Sequence, residues 1–152
     1  MPNWCDCELC ITGPKEDLRK LKRKVKSKKS VLDADKIIPY PKEFKNLDKA
    51  RPGEGFNSGG YEWCCENWGT KWGFCDPAVA DNIKHGELVY TFETAWSPPI
   101  PLIKELGKLF PKLVFELRYF EGGAGFNGLF VIENGKVEVD KVGEYLNGAL
   151  KR

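Results

Sequence analysis

Strand-type and helix-type apolar spacing take turns along this chain, and their order limits the folds it can adopt. Residues 3–12 alternate, with Cys5, Cys7, Leu9 and Ile11 on one face and Asp6, Glu8, Cys10 and Thr12 on the other. That period of two marks a half-buried strand. Gly13-Pro14 ends it, and Pro14 suits a first helical position. Glu16 and Asp17 complement a helix N-terminus, and Leu18, Leu21 and Val25 then form an apolar stripe, which predicts a helix over about 14–27. Residues 30–38 read as a second strand, stopped by Pro39-Tyr40-Pro41. Residues 40–60, rich in Pro and Gly, read as loop or a short helical turn. Residues 61–68 read as a short helix closed by Gly69, and 76–83 as a further helical turn. Residues 87–94 alternate again. Pro98-Pro99-Ile100-Pro101 opens a helix that can turn Leu102, Leu106, Leu109 and Phe110 inward. Residues 113–120 form another alternating strand, and 122–128 a flexible turn. Asn134-Gly135 joins 129–132 to 136–139 as a hairpin, and Val142, Tyr145, Leu146 and Leu150 fit a C-terminal helix.

Two βαβ halves predict an α+β, ferredoxin-like (βαββαβ) sheet with helices on one face. A single domain spans 1–152, a length that suits one core. The Trp-rich insertion, 40–75, precedes the third strand, and a C-terminal β-hairpin plus helix occupies 127–152. The sheet's second face needs cover, and the insertion is the segment available for it.

A composition of 41% hydrophobic and 30% charged residues is that of a soluble globular chain. No apolar run approaches the ~20 residues that span a bilayer, so no membrane partner is expected. The N-terminus, Met1-Pro2-Asn3-Trp4-Cys5-Asp6, lacks the basic and apolar regions of a signal peptide, so the expected location is cytoplasmic. The net charge is only +2, yet residues 15–29 hold nine Lys and Arg against Glu16 and Asp17. Lys15, Arg19, Lys22, Arg23 and Lys26 are therefore a candidate basic surface for an acidic partner or nucleic acid. The plainer reading is a solvated helix face. With five Arg in the chain, base-specific readout is disfavoured, whereas non-specific attraction to a phosphate backbone is not.

Six cysteines accompany a thermophile-like trend: no Gln, one Met, one His and abundant Lys. Cys5-x-Cys7-x-x-Cys10, Cys64-Cys65 and Cys75 do not make a zinc set. Cys5 and Cys7 share a strand face that Cys10 does not, and no Cys-x-x-Cys pair flanks a tight turn. No metal and no cofactor is implied. Glu121-Gly122-Gly123-Ala124-Gly125-Phe126-Asn127-Gly128 follows a strand but opens no helix, so it reads as a turn rather than a dinucleotide loop. His85 sits in a surface turn without an evident partner.

Three of the five tryptophans fall within residues 63–72. Either Trp63, Trp68, Trp72 and Trp96 cover the sheet as core, or some of them line a groove where a ring stacks on a ligand beside Lys71.

Several segments carry a family resemblance. They are Met1-Pro2-Asn3-Trp4-Cys5 with Leu9-x-Ile11-x-Gly13, Ile38-Pro39-x-Pro41, Asn67-Trp68-Gly69-Thr70-Lys71-Trp72, Phe92-x-Thr94-Ala95-Trp96-Ser97-Pro98-Pro99, and Tyr119-x-Glu121 with Gly125-Phe126. Together they resemble the YubB-like family over the chain to about residue 130. The resemblance implies a ferredoxin-like domain and a mobile-element context of plasmids, phages and genomic islands; it implies no reaction. Family members commonly carry a polar residue where this chain has Cys7, and an acid where it has Gly73, for which Asp76 is the nearest substitute.

The candidate ligand- or partner-binding residues are accordingly Asn67, Trp68, Thr70, Lys71, Trp72, Trp96 and Glu121. The expected function is a non-catalytic recognition module that contacts a protein or nucleic acid. The rival is a small-ligand binder or enzyme that gathers Glu62, Lys71, Trp96 and Glu121 in one pocket.

Overall fold

The computed structural model describes residues 3–50 and 60–144. The elements run β1 (Trp4–Thr12), α1 (Lys15–Val25), α2 (Lys42–Ala50), α3 (Tyr61–Asn67), β2 (Cys75–Asn82), β3 (Glu87–Ala95), α4 (Ile100–Leu109), β4 (Val114–Glu121), β5 (Phe126–Glu133) and β6 (Lys136–Glu144). The strands form one antiparallel sheet in the order β2-β3-β1-β4-β5-β6. Its first four strands, with α1 and α4 as crossovers, are the ferredoxin-like arrangement that the alternation predicts, and β5 and β6 extend it. The helix expected at the C-terminus falls on residues 145–152, outside the described residues, and Val142 belongs to β6.

Register explains the core. Tyr90, Leu9, Leu117 and Phe130 stand opposite one another across β3, β1, β4 and β5, and all are fully buried. Leu18, Leu21 and Val25 of α1, and Leu102, Ile103 and Leu106 of α4, close over that face. None of the described helices is long and apolar enough to cross a membrane.

Other elements also differ from the sequence reading. Residues 30–38 are not a strand. The Asp33 carboxylate accepts the Asp35 N–H at 3.0 Å and starts a single 3-10 turn at Ala34–Lys36, while Ser30 Oγ accepts the Leu32 N–H at 3.2 Å. Such local side-chain bonds compete with a ladder. Conversely, residues 75–82 are a strand and not a helical turn. Pro77 is tolerated because β2 lies at the sheet edge, where the register shifts between Cys75 and Ala78 and Asp76 takes φ 47°. The insertion therefore enters before the second strand of the sheet.

Nor do the described residues of the insertion pack as a lid on the open face. Tyr40, Cys64 and Trp68 join the same apolar cluster as Leu18 and Leu102, so this part of the insertion widens the helical layer. The opposite face, with Asp6, Glu8, Cys10, Val89, Glu93 and Arg118, stays half-exposed or exposed.

All six cysteines are free thiols. Cys5, Cys7 and Cys64 are buried and Cys65 is exposed. Burial raises the pKa of both half-buried thiols, helped by Glu87 beside Cys10 and by Asp76 and Glu93 beside Cys75. Because the thiolate is the reactive form, iodoacetamide at neutral pH is expected to label Cys65 first. Cys10 and Cys75 should follow slowly, and the buried three only on unfolding. A peptide-mass time course checks the order, and equal labelling of Cys5 and Cys65 in the native protein would contradict it.

Candidate functional site

The sequence segments Asn67-Trp68-Gly69-Thr70-Lys71-Trp72 and Thr94-Ala95-Trp96-Ser97 meet in space. Helix α3 stops at Trp68, and Gly69 follows with φ 79°, its N–H donating to the Cys64 carbonyl at 3.1 Å. A left-handed residue here is the usual helix stop. A side chain is doubly excluded, because a Cβ would stand 2.5 Å from Cδ of Pro101. The released chain is then fastened to the β3–α4 corner. Thr70 Oγ1 donates to the Ala95 carbonyl at 2.9 Å, and Ser97 Oγ donates to the Gly69 carbonyl at 2.6 Å. Thr94 Oγ1 donates to the Ser97 carbonyl at 2.7 Å, and the Trp96 N–H donates to the Asn3 carbonyl at 2.8 Å.

This bracket separates the predicted site residues into two groups. Asn67, Trp68, Thr70 and Glu121 are engaged by hydrogen bonds within the fold. Asn67 Nδ2 donates to the Trp63 carbonyl at 3.0 Å. Trp68 is 2% exposed, its indole N–H donates to the Ile38 carbonyl at 2.9 Å, and its ring meets Trp63 at 5.4 Å and Tyr40 at 5.6 Å. Thr70 is buried. Glu121, 2% exposed, accepts the Gly123 and Ala124 N–H groups at 2.7 Å each and so closes the turn into β5.

Lys71, Trp72 and Trp96 are brought together, and two rings that sequence reasoning did not single out join them. The Lys71 Nζ lies 4.6 Å from the ring centroid of Trp72, 5.0 Å from that of Trp96 and 5.7 Å from that of Tyr61. Trp4 packs on Trp72 at 5.9 Å, and Tyr61 meets Trp96 edge-on at 6.3 Å. Rings within ~6 Å of an ammonium attract it through their negative faces. Tyr61 and Trp96 nevertheless remain 40% and 42% exposed. The signal for Trp4 was its place in the N-terminal motif. Tyr61 carried only its position at the start of the Trp-rich helix.

Trp96 also takes a left-handed backbone conformation, φ 69°, which is rare for a bulky residue. The four hydrogen bonds of the bracket hold it there. Strain of this kind persists where surrounding structure over-determines it, and it clusters at binding sites.

Elsewhere, Asp76 lies by Asp6 and Glu93 on the strands, not with Lys71. The Glu93 carboxyl is raised above the ordinary range by burial and then by those two acids. Arg19, Lys22 and Arg23 of α1 and Lys26 just after it line one groove together with Lys84, a residue without a sequence signal, whereas Lys15 does not line it.

Residues 68–149 match a family model described as the ferredoxin-like domain in Api92-like protein. The crystal structure of a protein Api92 from Yersinia pseudotuberculosis is similar to this chain, with a TM-score of 0.64 and 14% identity. The likeness covers 99% of this chain and 100% of that one, and at such identity it speaks for the fold. Among curated proteins no relative matches.

Proposed function

Since the chain belongs to the family of ferredoxin-like domains in Api92-like proteins, we propose that it is a non-catalytic recognition module that binds single-stranded nucleic acid through the rings around Lys71. The observation that carries this reading is Trp96, half-exposed and clamped in a strained backbone. A core has no use for an indole presented to solvent in that way. Exposed rings beside an ammonium suit an unpaired base, whose flat face stacks while its phosphate meets the cation. Each stacked base contributes about 1–3 kcal/mol. The YubB-like resemblance adds the mobile-element context, and the reading takes the location to be cytoplasmic.

The rival pocket of Glu62, Lys71, Trp96 and Glu121 has less support. The Glu121 carboxylate is occupied by two backbone N–H groups in its own turn, and Glu62 is exposed on α3.

Fluorescence anisotropy with a labelled single-stranded oligonucleotide at low salt tests the proposal. Trp96→Ala is expected to weaken binding by about ten- to a hundredfold and to leave the melting temperature nearly unchanged. No binding by the wild type, or equal binding by the variant, would overturn the reading. Capture of a protein by the same rings would redirect it to a protein partner.

A further inference from the structure

The aromatic surface leaves the most charged feature of the chain unused. Arg19, Lys22 and Arg23 recur at i, i+3 and i+4 and so share one stripe of α1, which Lys26, the extended residue just past the helix end, continues. The stripe flanks the buried line of Leu18, Leu21 and Val25. It faces the turn Ile83–His85, which follows β2 and adds Lys84. Between the two lies a groove of about 440 Å³ whose lining carries five cations and one carboxylate, Asp81. That carboxylate is committed: its Oδ2 accepts Lys22 Nζ at 2.6 Å and its Oδ1 accepts the Ile83 N–H at 3.0 Å. It thus fixes Lys22 against the groove wall. Past the C-terminal end of α1, a second depression of about 520 Å³ shares Lys26 and adds Lys28 and Lys29, with Asp76 on its far side.

We propose that this groove is a track for the sugar-phosphate backbone of a nucleic-acid strand, a contact separate from the ring cluster. The proposal rests on the preceding reading for the kind of polymer; the groove's charge stands apart from it. The track follows from three features. From Arg19 to Arg23 the stripe runs about 6 Å along the helix, and Lys26 carries it past the helix end, so that it is longer than one phosphate group. Its cations are side chains with substantial exposure, as in Arg19 at 51% and Lys22 at 38%, which suits an extended polyanion better than a small enclosed anion. Lysines outnumber arginines in it, so it offers point charges rather than the bidentate forks that read bases. Contacts of this kind position a strand without reading sequence.

The full chain is titrated with labelled oligothymidylate and, separately, with a blunt duplex that exposes no unpaired base, over about 50–200 mM salt. The triple variant Arg19→Gln, Arg23→Gln, Lys26→Gln removes three groove cations and keeps the Lys22–Asp81 pair. Lys104→Gln with Lys108→Gln and Lys112→Gln, three exposed positions on and just after α4, controls for net charge. For the wild type, the logarithm of affinity should fall linearly with that of salt, and the triple variant should flatten the slope by about 2–3 on both probes. The α4 variant should leave the slope unchanged. An unchanged slope in the triple variant overturns the track, even if Trp96→Ala still weakens oligothymidylate binding and the ring reading survives. If the triple variant flattens the slope while Trp96→Ala binds oligothymidylate as well as the wild type, the track stands and the ring reading falls. Failure of both probes to bind at low salt overturns both.

Discussion

Trp68→Ala is expected to lower the free energy of unfolding by about 3–5 kcal/mol, a large fraction of the 5–15 kcal/mol typical of a domain. The indole is buried against Tyr40 and Trp63, and its N–H donates to the Ile38 carbonyl. Removing it opens a cavity and leaves that carbonyl without its indole donor. The damage spreads because Tyr40 also donates its hydroxyl to Asp48 of α2 at 2.8 Å. One ring thus ties together the 34–40 segment, α2 and α3. Trp72→Ala, at a half-buried ring, should cost about 1 kcal/mol by comparison. Denaturant unfolding followed by circular dichroism measures both. Equal losses would mean that the hexapeptide's two rings share one role, against the division into core and surface.

That division was only partly legible in the sequence. The strands β1, β3 and β4 and the helices α1 and α4 announce themselves because each has one buried face and a clean period. The sheet order then follows from the βαβ connections. Residues 30–38 misled because Leu32, Ala34 and Ile37 are buried for a different reason, a capped 3-10 turn folded against the end of α1, where Asp33 N–H donates to the Val25 carbonyl at 2.7 Å. Strand β2 was hidden by Pro77, which is a breaker in a central strand and harmless on an edge. The start of β5 was hidden by glycine: Gly128 pairs directly with Tyr119, whose ring occupies the space a side chain would take. At the site, the cluster of tryptophans in residues 63–72 around Lys71 identified the motif. The convergence of Trp4, Tyr61 and Trp96 depends on three separate elements, which no local pattern reports.

Glu121 is the residue for which sequence and structure disagree most about role, and its substitution has the second large expected effect. A carboxylate at the end of a strand in a motif invites a catalytic reading. In the fold it lies opposite Cys5 on the buried face, with one oxygen on each of two consecutive N–H groups. Hydrogen bonds to a charged group contribute about 1.5–3 kcal/mol, and the two donors, on exposed Gly123 and Ala124, turn to water once the carboxylate is gone, so the loss is that of the bonds that close the turn. Glu121→Ala is therefore expected to destabilise the protein by about 2–4 kcal/mol. Glu121→Gln retains one acceptor but turns an amide N–H₂ toward the other donor, so it should recover part of that loss and no more. Both variants should bind oligothymidylate like the wild type under conditions where they are folded, since the segment that carries Lys71 and Trp72 is fastened by Thr70 and Ser97, neither of which bonds to this turn. Thermal unfolding and anisotropy measured together decide the matter. Lost binding with unchanged stability in Glu121→Gln would return the carboxylate to the site, and with it the rival reading of a ligand pocket.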